Sequence, residues 1–190
     1  MTALTSTLLA RLTSARAASA PGPTGLEQEV ISLFEQLRNP LLRYLFSLRV
    51  PVADAEEIVQ EAFLLLFRHL RAGKSRENLQ GWLFGVAHNL ALRNYERLRR
   101  AVADPEVYLQ QPDADPNPVE RFEMLEMQQN LLAVVEALPA QDQRCLALRA
   151  EGLRYRDIAR VLGISLGSVA NSLSRSLTRL SRRTGQQEVR

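Results

Sequence analysis

Four prolines crowd the stretch ADPEVYLQQPDADPNPVE at residues 103–120, standing at Pro105, Pro112, Pro116 and Pro118. Proline lacks a backbone donor and biases the residue before it away from helix, so no regular element runs through such a segment. Asp104, Asp113 and Asp115 add like charges that keep it extended. The chain is thereby cut in two. An acidic linker at 102–118 separates a helical domain at 26–101 from a second helical domain at 119–183, with a flexible extension at 1–25 and a tail at 184–190.

On either side of the linker, apolar residues recur at spacings of three and four, the period of a helix with one buried face. From Glu27 to Arg49 the stripe is Val30, Leu33, Phe34, Leu37, Leu41, Leu42, Leu45 and Phe46, with Pro40 either starting a second piece or kinking a continuous helix. Asp54 reads as the N-cap of a helix reaching Arg71, with Glu56 and Glu57 against the positive end of its dipole. Ile58, Ala62, Leu65, Leu66 and His69, widened by Val59, Phe63, Phe67 and Leu70, bury most of its girth. Glu57, Gln60, Glu61, Leu64 and Arg68 form the remaining stripe, a solvated face or a docking surface. Gly73 closes this helix. Beyond the linker, helices are expected over Val119–Ala137, Pro139–Ala150, Tyr155–Leu162 and Leu166–Arg182. No strand alternation, repeat or glycine-rich phosphate loop is present, so the expected class is all-α.

Composition narrows the function. The 190 residues are 46% hydrophobic and 24% charged, the balance of folded domains rather than of disorder. A net charge of +3 and a pI near 9.5 permit a polyanionic partner without requiring one. The one cysteine, Cys145, excludes an internal disulfide, and His69 and His88 show no metal-ligand spacing. No metal, cofactor or small-molecule substrate is expected, and no nucleophile or acid–base pair suggests an enzyme. No apolar run nears the roughly 20 residues that span a bilayer, so a cytoplasmic protein without membrane contact is expected. Met1 to Leu26 has the Ala/Ser/Thr-rich, acid-free composition of some transit peptides. Arg11 interrupts its apolar run, however, and Pro21-Gly-Pro ends it, which favours a flexible extension.

Two helices carry candidate chemistry. In LQGWLFGVAHNLALRNYERLRR, Leu79 to Arg100, an expected buried face of Leu79, Leu83, Val86 and Leu90 adjoins a stripe of Trp82, Asn89, Arg93, Glu96 and Arg100. Aromatic, amide and arginines in series form a ladder suited to bases and phosphates. The same pattern also fits a core helix with a solvated basic end. The second is a pair: Ile158, Ala159 and Leu162 on a short helix, Gly163 at the turn, a buried Ile164, and a helix starting behind Ser165. This is the spacing of a helix-turn-helix, or of an ordinary helical hairpin. Val169, Leu173, Leu177 and Leu180 are expected inward, leaving Ser168, Asn171, Arg175, Thr178 and Arg182 outward with Ser172 and Arg179 at the sides. Arginines at 154, 156, 160, 175, 179, 182 and 183 favour the DNA-binding form, since phosphate contact needs them.

Taken in order, DAEEIVQEAFLLLFRHL, GWLFGVAHNLALRNYERLRR, the acidic linker and LPAQDQRCLALRAEGLRYRDIARVLGISLGSVANSLSRSLTRL resemble bacterial RNA polymerase sigma factors of the extracytoplasmic-function (ECF) type, within the sigma-70 superfamily. The resemblance covers about Glu27 to Arg183. It implies a region 2-like bundle and a region 4-like helix-turn-helix. It implies that Asp54, Glu57, Gln60 and Glu61 dock on the clamp helices of the largest subunit of core RNA polymerase. It points to Asn78, Trp82, Asn89 and Arg93 for the -10 element and its flipped-out base, with Arg97, Arg99 and Arg100 on phosphates. For the -35 element it points to Ser168, Asn171, Ser172 and Arg175, with Arg156, Arg179 and Arg182 on the backbone. An anti-sigma partner is a further implication.

The chain departs from the family where TVKSRLHRA is common: it reads SVANSLSRS, with Ala170 in place of a frequent lysine and Ser172 preceding Leu173 where arginine is frequent. Each lost phosphate contact flattens the salt dependence of DNA binding by about 0.9 in log–log slope. A competing reading is a stand-alone helix-turn-helix regulator whose N-terminal bundle dimerises or senses a signal. A helical scaffold is another. Both leave the acidic stripe or the basic helix end without a role.

Overall fold

The computed structural model describes residues 25–101 and 132–184, with the side chains of 98–101 and 183–184 outside the description. The extension, the linker, most of the helix expected from Val119 to Ala137 and the tail lie outside the described residues. The chain divides into two compact units, Met1–Arg97 and Leu98–Arg190. Every element among the described residues is helical.

The first unit is built from α1 (Gly25–Ser47), α2 (Val52–Arg71) and α3 (Leu79–Ala101). Helix α1 runs unbroken through Pro40. Proline costs about 3 kcal/mol in a helix interior, but Val30 and Phe34 before it and Leu41 and Leu45 after it are all buried. At about 1.5–3 kcal/mol per buried side chain, one continuous stripe outweighs the lost hydrogen bond. Helix α1 packs on α2, where the Phe34 ring meets Phe63 edge-on at 5.0 Å.

The turn after α1 closes with Val50 N–H on Leu45 O at 3.1 Å and Arg49 N–H on Phe46 O at 2.8 Å. Arg49 itself is left-handed, φ 61°. That is the double-bonded helix ending usually completed by glycine, as Gly73 completes α2. Pro51 is extended at φ −57° and ψ 149° and precedes α2 directly. Its carbonyl receives Ala55 N–H at 2.8 Å, so Asp54 lies in the first turn and is not the cap expected from sequence. The helix starts three residues earlier than expected, directly behind a proline whose φ is preset.

Helix α3 lies over this pair through a polar contact inside the core. Tyr44 of α1, 1% exposed, and His88 of α3, 5% exposed, share a hydrogen bond of 2.8 Å between the phenol oxygen and Nδ1. The Tyr44 ring also rests against Phe84 at 5.6 Å. Leu83, Phe84, Ala87, His88 and Ala91 form the buried face, whereas Leu79, Val86 and Leu90 are only half-buried. The helix is therefore rotated from the expected register. The large Phe84 and the hydrogen-bonded His88 pull their side of the cylinder inward.

In the second unit residues 132–136 are helical, followed by α4 (Ala140–Ala150), α5 (Tyr155–Leu162) and α6 (Leu166–Thr184). Pro139 sits just ahead of α4 rather than inside it. The Gln143 amide donates to Leu138 O at 2.9 Å and Glu136 O at 3.0 Å, satisfying carbonyls that the turn would leave open. Helices α4 and α5 both pack on α6 around Cys145, Leu148, Leu153, Ile158, Val161, Val169 and Leu173. Between α5 and α6, Gly163 is left-handed at φ 64° and Ile164 N–H returns to Ala159 O at 3.1 Å. Ser165 Oγ then accepts the Ser168 N–H at 3.1 Å, capping α6. The helix-turn-helix geometry expected from Ala159, Gly163 and Ser165 is present.

Candidate nucleic-acid and polymerase interfaces

Along α2, Glu57 and Glu61 are exposed, while Asp54, Gln60 and Leu64 are half-buried. Asp54 Oδ2 accepts a hydrogen bond from Asn94 Nδ2 of α3 at 2.9 Å. Asn94 Oδ1 in turn receives Arg97 Nη2 at 3.0 Å. One predicted docking residue and one predicted phosphate contact are thus linked through Asn94, which sequence reasoning overlooked. Glu56 pairs with Arg38 at 3.1 Å, leaving Glu57 and Glu61 as the outward acidic pair of the stripe.

At the head of α3, Asn78 is left-handed at φ 52° and its Oδ1 accepts the Gly81 N–H at 3.2 Å. A β-carbon on residue 81 would displace the Asn78 amide, so glycine there lets the cap close onto the first turn. Asn78 therefore caps the helix with the side chain assigned to DNA. Trp82 is half-buried, its ring tilted 43° to that of His69 at 4.8 Å. Farther along, Asn89, Arg93, Glu96 and Arg97 are exposed, on the side opposite the core residues Phe84, Ala87 and Ala91. The side chains of Arg99 and Arg100 lie outside the described residues. The outer surface of α3 thus presents an aromatic edge, an amide and arginines in rising order along one helix, a combination able to hold unstacked bases and a phosphate backbone.

The outer face of α6 differs from expectation on its inner border. Ser172 and Ser176 are fully buried at 0% exposure, and Leu177 is 57% exposed. Ser172, predicted to touch DNA, faces α4 instead: its Oγ accepts Gln141 Nε2 at 3.3 Å. Small hydroxyls let α4 and α6 approach closely, so the inward set is Val169, Ser172, Leu173 and Ser176, not Leu177. Beneath it lies Asp142, 1% exposed, which takes a forked pair of bonds from Arg175, Nη2 to Oδ1 at 2.8 Å and Nε to Oδ2 at 3.1 Å.

The Arg175 guanidinium is the main cause holding the Asp142 carboxyl below the usual aspartate range, against the opposing effect of burial. Burial likewise pushes the neighbouring Cys145 thiol up, as expected of an inert core cysteine. Two of the three guanidinium nitrogens of Arg175 are thereby spent inside the domain, and only Nη1 lacks a bond to Asp142. Ser168 is half-buried at the helix start, while Asn171, Ser174, Thr178, Arg179 and Arg182 are exposed on α6 and Arg156 on α5. Ser174 was missed in the sequence, although it stands one turn beyond Asn171. Asp142 was also missed. Its only signal was an acid in the first turn of α4.

Comparison with known proteins agrees with this geometry in both units. Residues 33–101 match the Sigma-70 region 2 family model, and residues 128–180 match that of Sigma-70, region 4. Among relatives, the chain is 30% identical over 151 residues to ECF RNA polymerase sigma factor SigE of Mycolicibacterium smegmatis, covering 78% of this chain and 58% of that protein. It is 30% identical over 159 residues to ECF RNA polymerase sigma factor EcfG of Rhodopseudomonas palustris, covering 78% and 85%. Two solved structures share the fold. CnrH in complex with the cytosolic domain of CnrY gives a TM-score of 0.56 at 20% identity, over 96% of this chain and 98% of that one. Sigma factor RpoE with the anti-sigma factor NepR from Bartonella quintana gives 0.58 at 22% identity, over 80% and 95%. The chain spans 58% of the length of the SigE relative and no helix of the described residues is long and apolar enough to cross a membrane. With both regions matched in chain order and EcfG aligned over 85% of its length, the chain belongs to the ECF RNA polymerase sigma factors of the sigma-70 family.

Proposed function

We propose that this sigma factor is a promoter-specificity subunit that binds core RNA polymerase and directs initiation by contacting the -35 duplex and the melted -10 strand. The observation that carries the reading is the pairing, in one chain, of a half-buried aromatic, Trp82, followed by the exposed amide and arginines of α3, with a helix-turn-helix whose second helix turns Asn171, Arg179 and Arg182 outward. A stand-alone regulator accounts for the second of these faces and not the first.

Labour is divided. Region 2, placed at 26–101, docks on the clamp helices through Glu57 and Glu61, with Gln60 beside them. Its α3 holds unpaired bases with Trp82, Asn89 and Arg93, and phosphates with Arg97, Arg99 and Arg100. Asn78 serves by shaping the loop and capping α3. Region 4, placed at 119–183, lays α6 in the major groove with Ser168, Asn171 and Ser174 toward base edges and Arg156, Arg179 and Arg182 on the backbone. Arg175 contributes to DNA only through Nη1, and Ser172 not at all. Two modest sites held on one polymerase act at high effective concentration, which suits a recognition helix poor in free basic side chains. Core polymerase performs the chemistry in the cytoplasm, and an anti-sigma protein covering these surfaces is the expected regulator.

Reconstituted transcription with core polymerase over a promoter library tests the whole reading. Initiation that requires this protein and depends on both elements is expected. Gel retardation of promoter duplex by the protein alone, with no core-dependent initiation, would instead establish the stand-alone regulator.

A further inference from the structure

Between α2 and α3 the chain crosses eight consecutive exposed residues, 71–78. No side chain there is buried, so apolar packing does not define the loop's path; hydrogen bonds and ion pairs must. One of them also reaches α3. His69, in the last turn of α2 and half-buried, donates from Nε2 to the carbonyl of Ser75 at 2.9 Å. A donor at Nε2 is required by that geometry, since a carbonyl only accepts. The same imidazole lies against the Trp82 ring, with centroids 4.8 Å apart.

The remaining ties hold either end of the loop. Lys74 N–H returns to His69 O at 3.3 Å, and Ser75 Oγ accepts Glu77 N–H at 3.1 Å. Arg76 pairs with Glu29 of α1 at 3.2 Å, and Asn78 caps Gly81. Through its side chain, His69 joins the Ser75 carbonyl of the loop to the Trp82 ring of α3, beside the backbone bond from Trp82 N–H to Asn78 O at 3.0 Å. It therefore helps to set their spacing.

We propose that His69 is a positioning residue for strand capture: by joining the Ser75 carbonyl to the Trp82 ring it holds the loop before α3 and the first base-contacting side chain of α3 in register, and selectivity for the -10 element depends on it although it touches no DNA. The proposal rests on the reading of α3 as the -10 surface. Without the tie, the loop and the Trp82 ring reach other arrangements, and these admit incorrect strands that the held geometry rejects while adding nothing for the correct one. Base selection weakens, while the docking stripe around Glu57 and Glu61, two or more turns up α2, is untouched.

The test uses holoenzyme assembled from core polymerase and the full chain on a promoter library randomised over the -10 element, and reads the ratio of initiation from the best element to that from single-base variants. His69→Ala is expected to lower this ratio about fivefold, the worth of one net hydrogen bond. Core binding should be retained, and the unfolding midpoint should fall by no more than the few degrees that one hydrogen bond is worth. His69→Gln, whose amide reaches the Ser75 carbonyl, should recover most of the ratio, and His69→Phe, which keeps a ring without a donor, should not. An unchanged ratio in His69→Ala, or a uniform fall in initiation from every sequence with the ratio intact, overturns the proposal. If the wild-type protein shows no -10 dependence, the underlying reading of α3 fails and this inference with it; -10 dependence of equal ratio in wild type and His69→Ala removes only the inference.

Discussion

Replacing Tyr44 by phenylalanine removes one oxygen from the first unit and little else, which makes its effect calculable. The ring contacts to Phe84 at 5.6 Å and His88 at 6.1 Å survive in phenylalanine. What goes is the 2.8 Å hydrogen bond to His88 Nδ1, between groups only 1% and 5% exposed. A net hydrogen bond is worth about 1 kcal/mol, and a buried polar atom deprived of its partner costs about 1–3 kcal/mol. The expected loss is therefore about 1–3 kcal/mol. For a unit of this size each kcal/mol moves the midpoint by about 4–8 °C, so a drop of at least about 4 °C is expected.

The assay is built into the chain. Trp82 is the single tryptophan and lies on α3, so its emission during thermal or urea unfolding of the full protein follows this unit and not the other. Tyr95→Phe, at a position 66% exposed, is the control and should shift nothing. An unchanged Trp82 midpoint in Tyr44→Phe would refute the claim that this bond fastens α3, and with it the basic face, to α1.

Two further outcomes concern the second unit. Asp142 has its pKa lowered in the folded state, chiefly by Arg175, so its contribution to stability is complete above the ordinary aspartate range and is lost as pH falls through the lowered value. Far-UV ellipticity in an acid titration should show this loss in the wild type below pH 3.8 and a flatter profile in Asp142→Asn; identical profiles would remove the ion pair as its cause. For DNA, Arg182→Ala in holoenzyme should reduce the slope of log binding against log salt by about 0.9, whereas Ser172→Ala, altering a fully buried hydroxyl, should leave the slope alone. Equal slopes for Arg182→Ala and wild type would place the backbone contacts elsewhere.

Periodicity and punctuation by themselves determined most of the scaffold. Apolar spacing along Val30 to Leu45 and Ile58 to Leu70 required helices with one buried side, and Gly73, Gly152 and Gly163 stand where α2, α4 and α5 end. These are local effects, decided within a few residues by backbone freedom and the helical repeat. Motifs in order were enough to identify the family, and the exposed positions Glu57, Glu61, Asn89, Arg93, Asn171 and Arg182 could be picked from helical phase.

Tertiary structure decided which polar groups are available. Serine reads as a surface residue, yet Ser172 and Ser176 are buried because α4 crosses α6 where only small side chains fit. Arg175 reads as a DNA contact, yet Asp142, 33 residues earlier in the chain, claims two of its nitrogens. Asp54 and Arg97 are drawn together through Asn94 only once α2 and α3 are packed. Each of these outcomes depends on a partner distant in sequence, and no local pattern records where such a partner will be brought.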